Sequence, residues 1–296
     1  MRLGLKRFLR ELHIVGGGKI GIALGSGAAR GLAHLGVLKV LEEEGVKIDC
    51  VSGASAGSII GAFLAAGKLK ELNSFCSRLT SWDSLKLIDP ILIPKTGLVE
   101  GKKVEKFFRD YLGDLKIEEL EIPFACVATD FYSGSEVILK SGDLVTAVRA
   151  SISIPGIFKP VKMNDMMLVD GGVVNPVPVK VVRDLGAEIV IAVDVSPRVS
   201  QNIVFSGNGK VMKSDSLLAK KSSFEPPNVF EIIIGSIAIM EIQINKMRMK
   251  SEKPDVIIKP ELNDLGLFDF HKYRLGVNEG ERATWEVIRK IERFIK

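Results

Sequence analysis

Ser55 stands at the centre of Gly53-Ala54-Ser55-Ala56-Gly57, a G-x-S-x-G pattern. A serine between glycines has the type and spacing of an acyl-transfer nucleophile. The glycines permit close backbone approach, and a sharp strand-to-helix turn exposes the hydroxyl. The first amides of the following helix, at its positive dipole end, can face a developing oxyanion. The same five residues also suit a plain small-residue turn where a helix meets a sheet, so the flanking elements have to decide.

A second glycine-rich turn, Gly25-Ser26-Gly27-Ala28-Ala29-Arg30-Gly31, lies upstream. Two functions compete for it. One is a dinucleotide-binding fingerprint, with Asp49 as its acidic residue. The other is an oxyanion hole built from backbone amides near Gly27 and Ala28. Arg30 occupies the third glycine position of the fingerprint, where close helix–strand packing needs Gly. Two such turns after successive strands, the second with a central serine, favour acyl transfer.

A serine hydroxyl needs a neighbouring base. The chain has three histidines, His13, His34 and His271. His13 precedes the first strand and His34 sits early in the helix after the first glycine turn. His271, in a late loop, is the only triad candidate in a Ser-Asp-His order, although each of the three reads more readily as an ordinary structural histidine. Asp170 ends a short strand in Leu168-Val169-Asp170-Gly171-Gly172, where unhindered backbone lets a carboxylate reach into a cleft. An Asp-Gly turn is commonly structural, and spacing alone does not separate Asp170 from Asp130, Asp165 or Asp194.

The elements that must position these residues follow from hydrophobic periodicity. Lys19 to Leu24 is an apolar run that reads as a buried strand, and Leu32, Leu35, Leu38 and Leu41 recur at helical spacing up to Gly45. Ile48 to Ser52 is a second strand, followed by the Ser55 turn and an apolar helix, Ser58 to Ala66. This β-α-β-α order predicts a parallel sheet covered by helices. Further on we expect helices at Leu69–Leu79, Gly101–Tyr111, Asp143–Ala150 and Val177–Leu185. Strands are expected at Phe124–Thr129, Val137–Lys140 (as a hairpin), Met166–Val169 and Glu188–Asp194. Residues 196–228, rich in Ser, Lys, Gly, Asn and Pro, read as a long mobile loop or lid. Val229–Met249 is strongly helical, Asp255–Ile258 a last strand and Lys272–Ile295 a closing helix. The apolar residues on most faces of Val229–Met249 favour a buried core helix over an interfacial helix or tunnel wall.

Composition narrows the class. Of 296 residues, 46% are hydrophobic and 26% charged, which is ordinary for a globular protein with a large core. Cys50, Cys76 and Cys126 form no C-x-x-C pair and build neither a disulfide framework nor a zinc site, which fits a reducing, cytoplasmic setting. The net charge of +5 reads as surplus lysine on a solvated surface and points to no nucleic-acid partner. Residues 1–18 carry Arg2, Lys6, Arg7 and Arg10 between Leu3, Leu5, Phe8 and Leu9, a basic amphipathic segment suited to peripheral contact with the inner membrane face. Residues 19–296 read as a single domain. The 18 uncharged residues from Cys50 to Gly67 are divided by Gly53 and Gly57 and are not a membrane span. The sequence says nothing of oligomeric state.

Three residue sets together carry a resemblance. Gly25–Gly31, Gly53–Gly57 and Asp170-Gly171-Gly172 resemble, in order, the G-x-G-x-x-[K/R]-G, G-x-S-x-G and D-G-[A/G] motifs of the patatin-like phospholipase family. Ala150–Phe158 and Asn175-Pro176-Val177-Pro178 add to the likeness, which covers roughly residues 19–195. The resemblance implies an α/β, three-layer α/β/α fold with a mostly parallel central sheet. It also implies a Ser-Asp dyad, with Ser55 as nucleophile and Asp170 as base. Gly25, Gly27, Ala28 and Arg30 would form the oxyanion loop, with Gly27 and Ala28 supplying amides. Gly53, Gly57, Gly171 and Gly172 would support the turns. The substrates implied are lipid esters (phospholipid, lysophospholipid or acylglycerol), with no metal and no cofactor. The family's plant members carry three consecutive glycines where this chain has Ser26-Gly27-Ala28, so only the middle one is kept.

Overall fold

The computed structural model describes residues 18–80, 99–197 and 229–294, together with the backbone of 203–205 and 211–213. The basic segment at 1–17, His13 included, lies outside the described residues, as does most of the expected loop at 196–228. Within that loop, two short strands, β8 (Ile203–Phe205) and β9 (Val211–Lys213), pair antiparallel where the sequence suggests no regular structure.

One eight-stranded sheet organises the rest. Its central strands are β1 (Ile20–Leu24), β2 (Cys50–Ala54), β3 (Phe124–Asp130) and β7 (Ile189–Val193), with β10 (Val256–Ile258) at one edge. These five are parallel in the order β10-β7-β1-β2-β3. β1 and β2 are buried throughout and β7 nearly so, because helices cover both faces and such strands read as continuous apolar runs. Beyond β3 the sheet turns antiparallel. β4 (Glu136–Leu139) forms the expected hairpin with β3, and β6 (Met166–Asp170) also pairs with β3 and carries β5 (Val161–Met163). The β5 strand is not legible in the sequence: three residues on a half-exposed edge leave too little periodicity.

The helices are α1 (Ala33–Glu43), α2 (Ala56–Ala65), α3 (Leu69–Cys76), α4 (Lys102–Leu112), α5 (Leu144–Ser151), α6 (Val179–Asp184), α7 (Val229–Glu252) and α8 (Tyr273–Glu292). Gly45 ends α1 as expected. At φ +68° its amide donates to Glu42 O, while the Val46 amide reaches Leu41 O, so two otherwise orphaned carbonyls are satisfied. Asp143 caps α5 by accepting from the Thr146 amide at 2.7 Å. The second strand starts at Cys50 rather than Ile48 and runs right up to the serine.

Candidate active site

Ser55 is the hinge between β2 and α2. Its φ of 51° and ψ of −121° place it in a region that L residues rarely adopt. Neighbours hold it there. The Ser55 carbonyl accepts from the Ser58 amide at 2.8 Å and from Ser58 Oγ at 2.6 Å, and its amide donates to Ser151 Oγ at 3.1 Å. The glycines of the pentapeptide are set by crowding at this hinge. A Cβ on Gly57 would lie 2.1 Å from Leu24 O, and one on Gly53 2.4 Å from Gly57 O.

Asp170 reaches Ser55 through the sheet. The β2 strand pairs with the first part of β3 and ends with Ala54 opposite Val127. The edge it vacates is taken by β6, running antiparallel, whose last residue Asp170 lies opposite Ala128. The residue after Ala54 and the last residue of β6 therefore meet across one break in pairing. Ser55 Oγ donates to Asp170 Oδ2 at 2.7 Å, and the Gly172 amide donates to Oδ1 at 2.8 Å. Thr129 Oγ1 fixes the backbone by donating to Asp170 O at 2.8 Å.

Both side chains are buried, Ser55 at 5% and Asp170 at 2% exposure. Burial raises the Asp170 carboxyl above its ordinary range, opposed in part by the hydrogen bonds from Ser55 and Gly172. A desolvated carboxylate within hydrogen-bond reach of a hydroxyl has the geometry of a general base. The other aspartates are engaged elsewhere: Asp130 with Ser133, Asp194 with Lys259, while Asp165 is exposed.

The first glycine turn follows β1 and runs into a 3-10 turn, Ala28–Leu32. Four of its amides have internal partners: Gly25 on Val193 O, Ser26 on Pro176 O, Ala29 on Leu267 O and Arg30 on Gly27 O. Gly27 and Ala28 have none among the described residues. Ala28 takes φ +48°, a second strained non-glycine beside the serine. The four loop residues thus divide. Gly27 and Ala28 offer free amides, whereas Gly25 does not, and Arg30 turns away. The Arg30 side chain is buried, its Nε donates to Leu265 O at 2.9 Å, and burial lowers its pKa to about 10 against the charges of Glu241 and Asp269.

Neither described histidine, His34 or His271, hydrogen-bonds Ser55 or Asp170. His34 is fully buried with Nε2 2.8 Å from Gly25 O, and burial pushes it down to about 4, so it braces the loop as a neutral ring. The Ser55 hydroxyl bonds the Asp170 carboxylate directly, with no imidazole between them. Asp49 accepts from the Ile20 amide at 2.9 Å, tying β1 to β2 rather than waiting for a ribose. Among the described residues no group of three or more His, Cys, Asp or Glu is arranged to hold a metal ion.

Two cavities meet at Ser55. The larger, about 170 Å³, runs between α2, α3 and α4 and is walled by apolar side chains such as Ile59, Phe75, Phe107 and Phe158. The smaller, about 40 Å³, holds Ser26, Asp170 and Glu241 beneath Ile234, Ile237 and Ala238 of α7. The expectation of a buried core helix for α7 is corrected here. Its inner face covers the serine, while Ile232, Ile239, Met240 and Met247 are exposed. Sequence reasoning missed Glu241 altogether. The available signal was that it is the only charge between Ile232 and Asn245.

Comparison with known proteins agrees with this architecture. Residues 22–183 match the family model described as patatin-like phospholipase. The chain is 39% identical over 178 residues to an uncharacterized NTE family protein of Mycobacterium tuberculosis H37Rv, covering 60% of this chain and 49% of that protein. It is 30% identical over 292 residues to lysophospholipase NTE1 of Saccharomyces cerevisiae, covering 92% of this chain and 17% of the yeast protein. The chain thus spans about half the length of the first relative and far less of the second. The structure of VipD from Legionella pneumophila matches with a TM-score of 0.50 at 12% identity, covering 93% of this chain and 67% of VipD, a likeness of fold alone. With a mostly parallel sheet flanked by helices and a family match running from the first strand to α6, the chain belongs to the patatin-like phospholipase family.

Proposed function

We propose that this chain is a serine acyl hydrolase that cleaves lipid carboxylic esters through an acyl-enzyme on Ser55, with Asp170 as general base. The observation that carries the reading is the 2.7 Å hydrogen bond from the strained, buried Ser55 to a desolvated carboxylate. In the first half-reaction Asp170 takes the Ser55 proton as Oγ attacks the ester carbonyl carbon. The carbonyl oxygen becomes an oxyanion facing the free amides of Gly27 and Ala28, aided by the N-terminus of α2. Collapse breaks the bond to the leaving oxygen, which departs as an alcohol with the proton from Asp170. Water then enters, gives a proton to Asp170 and attacks the acyl carbon. Breakdown returns that proton to Ser55 and releases the carboxylic acid.

The apolar cavity beside Ser55 supports an acyl chain as the acid part of the substrate, since each buried methylene contributes about 0.8 kcal/mol. The name of the yeast relative is consistent with a lysophospholipid, and phospholipid or acylglycerol esters share the same reacting group. The three cysteines are buried, and burial raises the Cys50 and Cys76 thiols to about 11 and 12, which leaves them poor nucleophiles. We read residues 19–296 as one domain, since one sheet collects strands from Ile20 to Ile258. No described helix is long and apolar enough to cross a membrane. The exposed apolar residues of α7, above the site, support peripheral contact with a lipid surface.

The test is labelling with a fluorophosphonate probe followed by peptide mapping, with hydrolysis of a short-chain p-nitrophenyl ester alongside. The adduct is expected on Ser55, and Ser55→Ala is expected to abolish both signals. Full ester hydrolysis by pure Ser55→Ala protein would refute the proposal.

A further inference from the structure

The proposed acyl-enzyme places three groups around one carbon, and the two cavities assign them. The oxyanion faces Gly27 and Ala28, and the acyl chain fits the larger cavity, whose wall is apolar apart from Ser55 itself. The leaving alcohol must take its proton from Asp170, which lines only the smaller cavity. The alcohol therefore departs into the compartment shared by Ser26, Asp170 and Glu241.

Glu241 is built into that compartment. It projects from α7, a helix whose covering residues here are otherwise apolar, and accepts one hydrogen bond among the described residues, from Ser26 Oγ at 3.3 Å. A carboxyl has room for about four such bonds. Its other oxygen lies against Gly172, where a Cβ would come within 2.6 Å of Oε1. The glycine after Asp170-Gly171 thus makes space for the carboxyl beside the dyad. The C-terminal half of α7 is anchored: Arg248 bridges to Glu136 at 3.0 Å, and Glu136 also accepts from Asn175 Nδ2 at 2.7 Å.

Resting on the hydrolase reading, we infer that Glu241 is a specificity residue for the leaving group, hydrogen-bonding a free hydroxyl of a polyol alcohol such as the glycerol of a monoacyl lipid. Burial and the neighbouring Asp170 charge raise the Glu241 carboxyl, with Ser26 and Arg30 opposing. A carboxyl offers two acceptor oxygens, and a donor as well in its protonated form, which match adjacent hydroxyls. A simple alkyl alcohol would leave these unmatched.

The experiment uses the full chain and two esters of one fatty acid, the 1-acylglycerol and the methyl ester, dispersed in the same detergent. The reading is the ratio of kcat/KM for the two. Wild type is expected to favour the glycerol ester, and Glu241→Leu is expected to lower that preference at least ~10-fold, the scale set by leaving a buried polar contact unmatched. Because both esters report on the same active fraction and the same acyl cavity, partial misfolding cancels in the ratio. A preference unchanged in Glu241→Leu overturns the inference, whether both rates fall together or neither moves. If wild type cleaves neither ester, or Ser55→Ala cleaves both at the wild-type rate, the hydrolase reading itself fails and takes this inference with it.

Discussion

Replacing Asp170 by Asn separates the base from the scaffold that holds it. The side chain stays the same size, and its oxygen can still accept from the Gly172 amide, now 2.8 Å from Oδ1. What disappears is the acceptor for the Ser55 proton, 2.7 Å from Oγ. General-base catalysis is worth ~10²–10⁴ in rate, or about 3–5.5 kcal/mol of barrier, so ester hydrolysis should fall by that range. Stability should move the other way. The folded carboxyl is raised by burial, so the native state holds its proton where the unfolded chain, with a pKa near ~3.9, has released it. The resulting penalty is absent below the unfolded pKa, grows as pH rises toward the folded pKa, and is full above it. Asn escapes it.

Each tenfold gain in proton affinity on folding costs about 1.4 kcal/mol once the group must ionise. The expected gain for Asn at mildly alkaline pH is therefore on the order of 1–3 kcal/mol, a rise of several degrees in Tm. The same burial sets the acid limb of the wild-type rate profile. Activity needs ionised Asp170, so it should decline with falling pH well above the ordinary carboxylate range. Steady-state hydrolysis of a p-nitrophenyl ester across pH, with thermal melts of both proteins, measures all three effects. An Asn variant retaining more than about a tenth of the activity would show that another group, His271 for instance, takes the proton. A Tm that falls at alkaline pH would refute the argument from burial.

Two further outcomes follow from packing around the site. Gly57→Ala places a methyl 2.1 Å from Leu24 O and 2.8 Å from Gly25 O, against backbone that cannot give way. It should cost about 3 kcal/mol or more by denaturant unfolding and abolish fluorophosphonate labelling; near-wild-type labelling would contradict the crowded hinge. Phe107→Ala opens the wall of the apolar cavity, where this ring packs on Phe75 with centroids 4.3 Å apart. The optimum in a series of p-nitrophenyl esters should shift to longer acyl chains, with about 2–4 kcal/mol lost in stability; an unchanged chain-length profile would place the acyl group elsewhere.

The elbow around Ser55 was legible because everything that makes it is local. A buried strand, two glycines and a helix lie within about fifteen residues, and their periodicity changes at the serine. The α1 stop at Gly45 and the β3–β4 hairpin were legible for the same reason. Legibility failed where a signal was short or two-faced. Three residues of β5 on an exposed edge carry no usable pattern. Helix α7, apolar on its inner and outer faces alike, reads as core although half of it faces solvent.

By itself, then, the sequence determined the β-α-β-α start, the strained serine turn and the two loops that flank it, because backbone sterics and hydrophobic period act over a few residues. Spacing alone did not separate Asp170 from three other aspartates; the family resemblance named it, and tertiary structure supplied the contact. Only the sheet shows that β6 takes the edge of β3 where β2 stops, joining residues 115 apart in the chain. The division of the Gly25–Arg30 amides into engaged and free depended on carbonyls from Val193, Pro176 and Leu267. Glu241 met Ser26 across 215 residues. Hydrogen-bond partners and desolvation are properties of what surrounds a side chain, and long-range folding supplies those surroundings.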